Sequence, residues 1–470
     1  MTELDRFRHV PESPTLPRGG RPSGTFDVAD LYRGPLDDGV PPVETEAPGL
    51  DEKLRQTYFW ITNQAVISPM LDIEFHDGPP TRLVFGERRV ELSLPNQQSY
   101  SSQVLLPLLN LVVGRRCLLA GAAGQGKTTI ANLMRLLAPG DDWVGLVDGA
   151  HDDLEGARSA LADQGPSGPG RAWFATVDDD GHGGGADTIR ALRDHTDLVV
   201  RAQPFNPRFL GEVLDRLEAG VRPEECLPDQ LVFTTDELSE IEHQVRTVRV
   251  PPPVRRRLEF LASQFEFHEA AGRRFDTLTK GGLRLSTVDA GTVEQGATPT
   301  DPIGQLGAQS LNGIAVPDLA NTLLFAKALA WFRGEAVITL TDLRQVLPFV
   351  LADKLDQNPD SPAFDHGIGR SLLADPVSWM RGLFDATCRE YDRLGLDDLD
   401  PVAELHSQFH AGLESIDEAE VDRRLAAIES KLQEISESEQ LHGHLHVDVL
   451  ALAYLHQRYV NYRSWLRWSG

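Results

Sequence analysis

Between Gly121 and Thr129 the chain reads Gly-Ala-Ala-Gly-Gln-Gly-Lys-Thr-Thr. This satisfies the pattern G-x-x-x-x-G-K-[ST] at each fixed position, with Gly121, Gly126, Lys127 and Thr128. The residue types suit a grip on polyphosphate. Glycines let backbone N–H groups turn inward around phosphate oxygens, and a following helix adds the positive end of its dipole. A lysine reaches the β- and γ-phosphates, and a hydroxyl can ligate Mg²⁺. The candidate nucleotide-binding residues are therefore Gly121, Ala122, Ala123, Gly124, Gln125, Gly126, Lys127, Thr128 and Thr129, and the expected ligands are ATP and Mg²⁺. Hydrolysis is a separate question, and positions outside the loop bear on it.

The elements that must hold such a loop are legible on both sides. Cys117 to Ala120 form a short apolar run before it, which predicts a buried strand. Ile130, Leu133, Met134 and Leu137 recur after it at helical spacing, and Pro139-Gly140 ends that helix. Beyond the loop, RCLLAG, WVGLVD, AWFAT and DLVVRA alternate with helical patterns over residues 101 to about 205, which predicts a parallel α/β sheet. Thr81 to Leu94 reads as a hairpin around Gly86-Glu87. From about 206 onward helices dominate: Asn206–Ala219, Pro253–Phe267, Asp318–Phe332 and Thr341–Leu355 each carry an apolar stripe. Residues 270–312 are Gly/Thr-rich and predict an inserted loop. The first fifty or so residues are rich in Pro, Gly and acidic residues and predict disorder, with Phe26–Tyr32 as a short docking segment. Near the C-terminus, Ser415-x-x-Glu418 reads as a capping box before a helix with Val421, Leu425, Ile428, Leu432 and Ile435 at 4-3-4-3 spacing.

Composition narrows the partners. The 470 residues hold 45 Lys+Arg against 71 Asp+Glu, a net charge of -26. With no cationic excess to replace phosphate counterions, a non-specific nucleic-acid binder is disfavoured. No apolar run is long enough for a membrane span and no signal peptide opens the chain, so neither membrane nor nucleic acid is an expected partner. Cys117, Cys226 and Cys388 are few and far apart. They predict reduced thiols in the cytoplasm, with neither a disulfide framework nor a zinc site. His442, His444 and His446 alternate, and His406 and His410 stand at i, i+4. The first set has no acidic or cysteine partner at zinc spacing and reads as solvated or capping, and the second lacks a glutamate at the zincin position and reads as a polar surface face. Tyr454, Tyr462, Trp465 and Trp468 read first as core packing of a terminal helix, and second as a docking stripe.

Longer runs carry a family likeness. AWFATVDDDGHGGG, the IRALRDHTDLVVRAQPFNPRFL that follows it, and LNGIAVPDLANTLLFAKALAWFRGEAVITLTDLRQVLPFVLADKL resemble the fourth-strand region and helical lid of MoxR-type AAA+ ATPases. LAYLHQRYVNY resembles the tail of larger members, so the likeness covers about Gln103 to Tyr462. It implies an α/β fold: a shortened P-loop AAA+ parallel-sheet core with a helical lid and a helical C-terminal domain. The implied layout is 1–55 disordered, 56–100 an extension with a hairpin, 101–245 the core, 246–357 the lid and 358–470 the C-terminal extension. It also implies other AAA+ subunits as partners in a homo- or hetero-oligomer, and a von Willebrand factor A domain protein beside them.

Carried over position by position, the resemblance implies Asp148 as a Mg²⁺ ligand with Thr128. At four catalytic positions this chain departs from the family. Gly149 stands where a glutamate polarises the attacking water, Asp178 where a polar sensor is usually asparagine, His195 where the arginine finger is expected, and Pro317 where a lid arginine is expected. Asp148 also follows Lys127 at a shorter interval than the family has, as if a strand, a helix and the pore loops were deleted. A finger arginine is worth about 10³–10⁵ in rate, roughly 4–7 kcal/mol of barrier. The expectation is an ATP-binding chain weak or inactive in hydrolysis, acting as a regulatory or structural subunit of a chaperone-like remodelling complex. The alternative is an active ATPase, with Arg190 or Arg193 as finger and Asp152, Asp153 or Glu155 as base.

Overall fold

The computed structural model describes residues 49–469 apart from 67–70, 78–80, 86–89, 141, 163–170, 180–183, 221, 266–277, 280–281, 284–305, 366–367, 398–399, 414–415 and 438–442. The expectations placed on the first 48 residues, on the Gly86-Glu87 turn, on Ser415, on His442 and on most of 270–312 lie outside the described residues. The chain divides into two compact units. One runs to Arg249 and takes in Ala320–Asp353, and the other comprises Val250–Leu319 and Lys354 onward. The stretch 246–357 is thus divided between them.

The first unit opens with helix α1 (Leu50–Trp60) and an antiparallel pair, β1 (Thr81–Phe85) and β2 (Val90–Leu94), in which Thr81 faces Leu94. Helix α2 (Ser102–Val113) is buried along its whole length and ends on Gly114. An all-buried helix is an interior element rather than a surface amphipath. Then follow β3 (Arg116–Gly121), α3 (Lys127–Leu137), β4 (Val144–Val147), α4 (Leu154–Ala162), β5 (Ala172–Asp178), α5 (Gly184–Leu192), β6 (Leu198–Arg201), α6 (Leu210–Glu218) and α7 (Thr235–Thr247).

The expected parallel α/β sheet is present with four strands in the order β4-β5-β3-β6. Side chains alternate across each strand. Leu118, Ala120, Ala175, Val177 and Val199 therefore meet Ala157 and Leu161 of α4 and Ile189 and Leu192 of α5 in one buried cluster. Helices α2 and α3 also pack on the strands, α3 through Ile130, Leu133, Met134 and Leu137. With both faces covered, the strands read as continuous apolar runs.

Asp197 marks the amino end of the sheet. Its side chain, 10% exposed, accepts from Arg116 N at 2.9 Å, Arg116 Nε at 3.1 Å and Asn321 Nδ2 at 2.8 Å. Arg201, closing β6, forks onto Asp353 with both bonds at 2.7 Å. Helix α6 is amphipathic yet buries no residue; Leu210, Leu214 and Leu217 are all exposed.

The described residues of the second unit are mainly helical. The unit begins with α8 (Pro252–Gln264). Helix α9 (Val316–Phe332) starts in this unit and continues in the first, where α10 (Leu340–Leu351) packs on β6. The second unit then holds α11 (Pro376–Arg393), α12 (Pro401–His410), α13 (Glu418–Ser436) and α14 (Gly443–Ser469). Arg257 of α8 holds Asp392 at 2.6 Å and Asp397 at 2.8 Å, and lies 4.4 Å from the Tyr391 ring centre. Helices α12 to α14 share one core around Val421, Leu425, Ile428, Leu455 and Tyr459. The α13 cap is Asp417, whose carboxylate accepts from Glu420 N at 2.8 Å. The aromatic stripe of α14 is mostly outside that core: Tyr454, Trp465 and Trp468 are 56%, 52% and 84% exposed, while Tyr462 packs against the core and donates to Leu413 O. The core reading therefore fails for those three.

Candidate functional site

The carboxyl ends of β3, β4, β5 and β6 lie at one edge of the sheet, the edge at which open α/β sheets bind ligands. There the loop after β3 turns into α3 without a side-chain cap at Gly126. The first amides of a helix have no intrahelical acceptor, so they are available to an anion. Gly124 and Gly126 both sit at φ 80. At Gly121 a Cβ would meet Gln125 Oε1 at 2.5 Å and Ala202 Cβ at 2.9 Å, so the strand end is packed too closely for a side chain. The loop is braced from behind. Gln103 of α2 donates to Gln125 O at 2.9 Å and accepts from Gln203 N at 3.1 Å, tying the loop to the exit of β6.

Lys127 is buried, with its side chain 5% exposed. Its ammonium donates to Gly121 O at 2.8 Å and Ala122 O at 2.7 Å, and it pairs with Asp178 Oδ1 at 2.8 Å. Beside it, Thr128 Oγ1 donates to Asp148 Oδ1 at 3.0 Å, and the same carboxylate oxygen accepts from Thr176 Oγ1 at 2.5 Å. Thr128 and Asp148 are therefore adjacent oxygen donors of the kind a Mg²⁺ ion takes. The cradle, the lysine and this oxygen pair together fit a Mg²⁺-bound polyphosphate.

Asp178 is not an isolated negative charge. The Lys127 hydrogen bond holds its carboxyl below the usual carboxylate range, with the His151 imidazole adding in the same direction. His151 Nδ1 accepts from Asp178 N at 3.3 Å, and its Nε2 lies 3.8 Å from Asp178 Oδ2. Sequence reasoning placed neither His151 nor Gln103 at the site. Gln103 arrives from α2, which carries no motif, whereas His151 follows Asp148 by three residues, and that proximity was a signal that could have found it.

Gly149 has a structural reason to be glycine. It sits at φ 68, its N–H donates to Thr176 Oγ1 at 2.9 Å, and its carbonyl accepts from Asp152 N at 2.9 Å. That turn requires the left-handed region, which a glutamate adopts only with strain. The alternative bases are placed unevenly. Asp153 Oδ1 accepts from Gly156 N at 2.9 Å at the start of α4, Glu155 lies in the first turn of α4, and Asp152 is 83% exposed.

His195 ends a short 3-10 turn, Arg193–His195, just before β6. Leu198 pairs with Cys117 at the start of β3, so this turn lies at the sheet edge opposite the phosphate loop. Arg193 stands in the same turn. Arg190, in the last turn of α5, pairs with Asp187 at 3.2 Å. The structure does not bring His195, Arg190 or Arg193 to this chain's own loop. Pro317 is exposed in the first turn of α9, where proline's missing N–H costs nothing.

No protein-family description matches the chain, and no curated protein matches it. Solved structures do match. One is the crystal structure of a candidate ATPase from Cytophaga hutchinsonii, 13% identical, with a TM-score of 0.39, covering 59% of this chain and 89% of that one. Among the described residues no helix is long and apolar enough to cross a membrane, and no group of three or more His, Cys, Asp or Glu is placed to hold a metal ion.

Proposed function

We propose that the chain binds a nucleoside phosphate with Mg²⁺ on the Gly121–Thr129 loop, and that it belongs to the MoxR-like AAA+ ATPases as a member with weak or absent hydrolysis. The observation that carries the binding half is the conjunction of an uncapped α3 N-terminus, a buried Lys127 and the Thr128–Asp148 oxygen pair. Bound there, the nucleotide with its metal would supply charge that stabilises one arrangement of the loop. The chain's own residues would do the holding: loop amides and Lys127 on the phosphates, Thr128 and Asp148 on the metal.

The weakness in hydrolysis rests on Gly149, Asp178, His195 and Pro317. Gly149 occupies a left-handed turn that a glutamate enters only with strain, and His195 offers a neighbouring subunit an imidazole instead of a guanidinium. Such a chain makes most sense as a regulatory or structural subunit of an oligomer with other AAA+ subunits, beside a von Willebrand factor A domain protein. Its exposed Tyr454, Trp465 and Trp468 and its acidic surface are the contacts on offer.

The test is phosphate release from Mg²⁺-ATP by the purified chain, alone and with a co-encoded MoxR-like protein, followed by native mass spectrometry of the mixture. A rate near background alone and a hetero-oligomer in the mixture support the reading. A brisk rate that Lys127→Ala abolishes would establish the active ATPase instead.

A further inference from the structure

Lys127 has three N–H donors. Two are held by Gly121 O and Ala122 O, backbone carbonyls at the root of the loop, and the third faces Asp178 Oδ1 at 2.8 Å. Asp178 is fixed there by the sheet. It is the last residue of β5 and pairs in register with Gly121, while the next amide, Asp179 N, donates to Gly121 O at 2.9 Å. The carboxylate is thus built beside the lysine, not brought to it by a flexible loop. A second carboxylate, Asp148, is bonded to the neighbouring Thr128. Within the loop Lys127 is the one cationic side chain, and Asp178 already neutralises it.

An incoming phosphate chain must share Lys127 with Asp178 or displace it. Backbone amides and Thr128 can hold phosphate without meeting that conflict. Each added phosphate brings more negative charge towards a lysine whose field is already balanced, and like charges close together disfavour one another. Resting on the nucleotide-binding reading, we infer that Asp178 makes this loop selective for a nucleoside diphosphate over the triphosphate, through its ion pair with Lys127.

Titration calorimetry on the full chain tests this, with Mg²⁺-ADP and with the β,γ-imido analogue of Mg²⁺-ATP as probes. The wild type should bind the diphosphate at least about tenfold more tightly, and Asp178→Asn should bring the two ligands to within about threefold by restoring Lys127 to the outer phosphate. Asp178→Ser serves as a second variant lacking the charge, and circular dichroism establishes that each variant is folded. Equal affinities in the wild type, both lost in Lys127→Ala, would overturn the selectivity and leave nucleotide binding intact. A diphosphate preference that persists in both folded Asp178 variants would overturn the assignment to Asp178. No binding of either probe by any folded variant would sink the nucleotide reading itself, and the selectivity with it.

Discussion

Asp178 and Asp197 stand at opposite ends of one parallel sheet, and each faces a basic side chain. Asp197 is 10% exposed and takes hydrogen bonds from the backbone and guanidinium of Arg116 and from Asn321. Asp178 is 45% exposed and has one strong partner, the Lys127 ammonium. The first is a structural pair: enclosed, several times satisfied and expensive to break. The second is a half-open pair whose lysine belongs to a phosphate-binding pattern. An ion pair's role follows from its burial and its number of partners, not from its length, since Asp178 makes the shorter contact.

Breaking each pair separates the two roles. Asp197→Ala removes the carboxylate shared by the Arg116 backbone, its guanidinium and Asn321 and should cost about 3–5 kcal/mol in urea unfolding. Asp178→Asn should cost less than about 1 kcal/mol, because water already screens that pair. If the two variants unfold at the same urea concentration, the distinction fails.

A third aspartate sharpens the contrast. Asp448 in α14 is half-buried, and burial, with Asp400 adding to it, pushes its carboxyl up to about 6. A raised folded value means that the folded state binds the proton more tightly than the unfolded chain does. Stability from this group is full below the usual carboxylate value of about 4 and is lost as pH rises from there through 6, by at most about 3 kcal/mol. Hydrogen exchange of α14 amides, corrected for intrinsic rate, should therefore be slower at pH 5 than at pH 7.5. Asp448→Asn should flatten the difference, and an unchanged pH dependence in that variant would remove Asp448 from the account.

Gly149→Glu probes the carboxyl end. The left-handed backbone should cost about 1–2 kcal/mol of stability. Phosphate release should stay near background, since residues that act as a unit are not restored one at a time. A stable variant with recovered turnover would show that the turn after β4 tolerates a base. The smallest effect concerns Asp178 itself. Its lowered folded value gives a contribution present above the usual carboxylate range and lost as pH falls through the folded value. For so exposed a pair, acid titration of wild type against Asp178→Asn should differ by less than about 1 kcal/mol.

The sheet was readable because a doubly covered parallel strand must be apolar throughout, and RCLLAG, AWFAT and DLVVRA are such runs. The loop was readable because its chemistry is local to nine residues. The Lys127–Asp178 pair was not, since it depends on the register that sets Gly121 opposite Asp178, a property of two strands far apart in the chain. Gln103 was hidden likewise, since its contact with the loop spans 22 residues. The exposed face of α14 was unreadable because an aromatic stripe at helical spacing says which residues share a face but not whether another helix covers it.

The central claim is that nucleotide sits on the Gly121–Thr129 loop, and hydrogen exchange of that segment tests it most directly. With saturating Mg²⁺-ADP, amides of 121–129 should exchange more slowly in the wild type and be unchanged in Lys127→Ala. Exchange in that segment that is indifferent to Mg²⁺-ADP and Mg²⁺-ATP alike in the wild type would contradict the account.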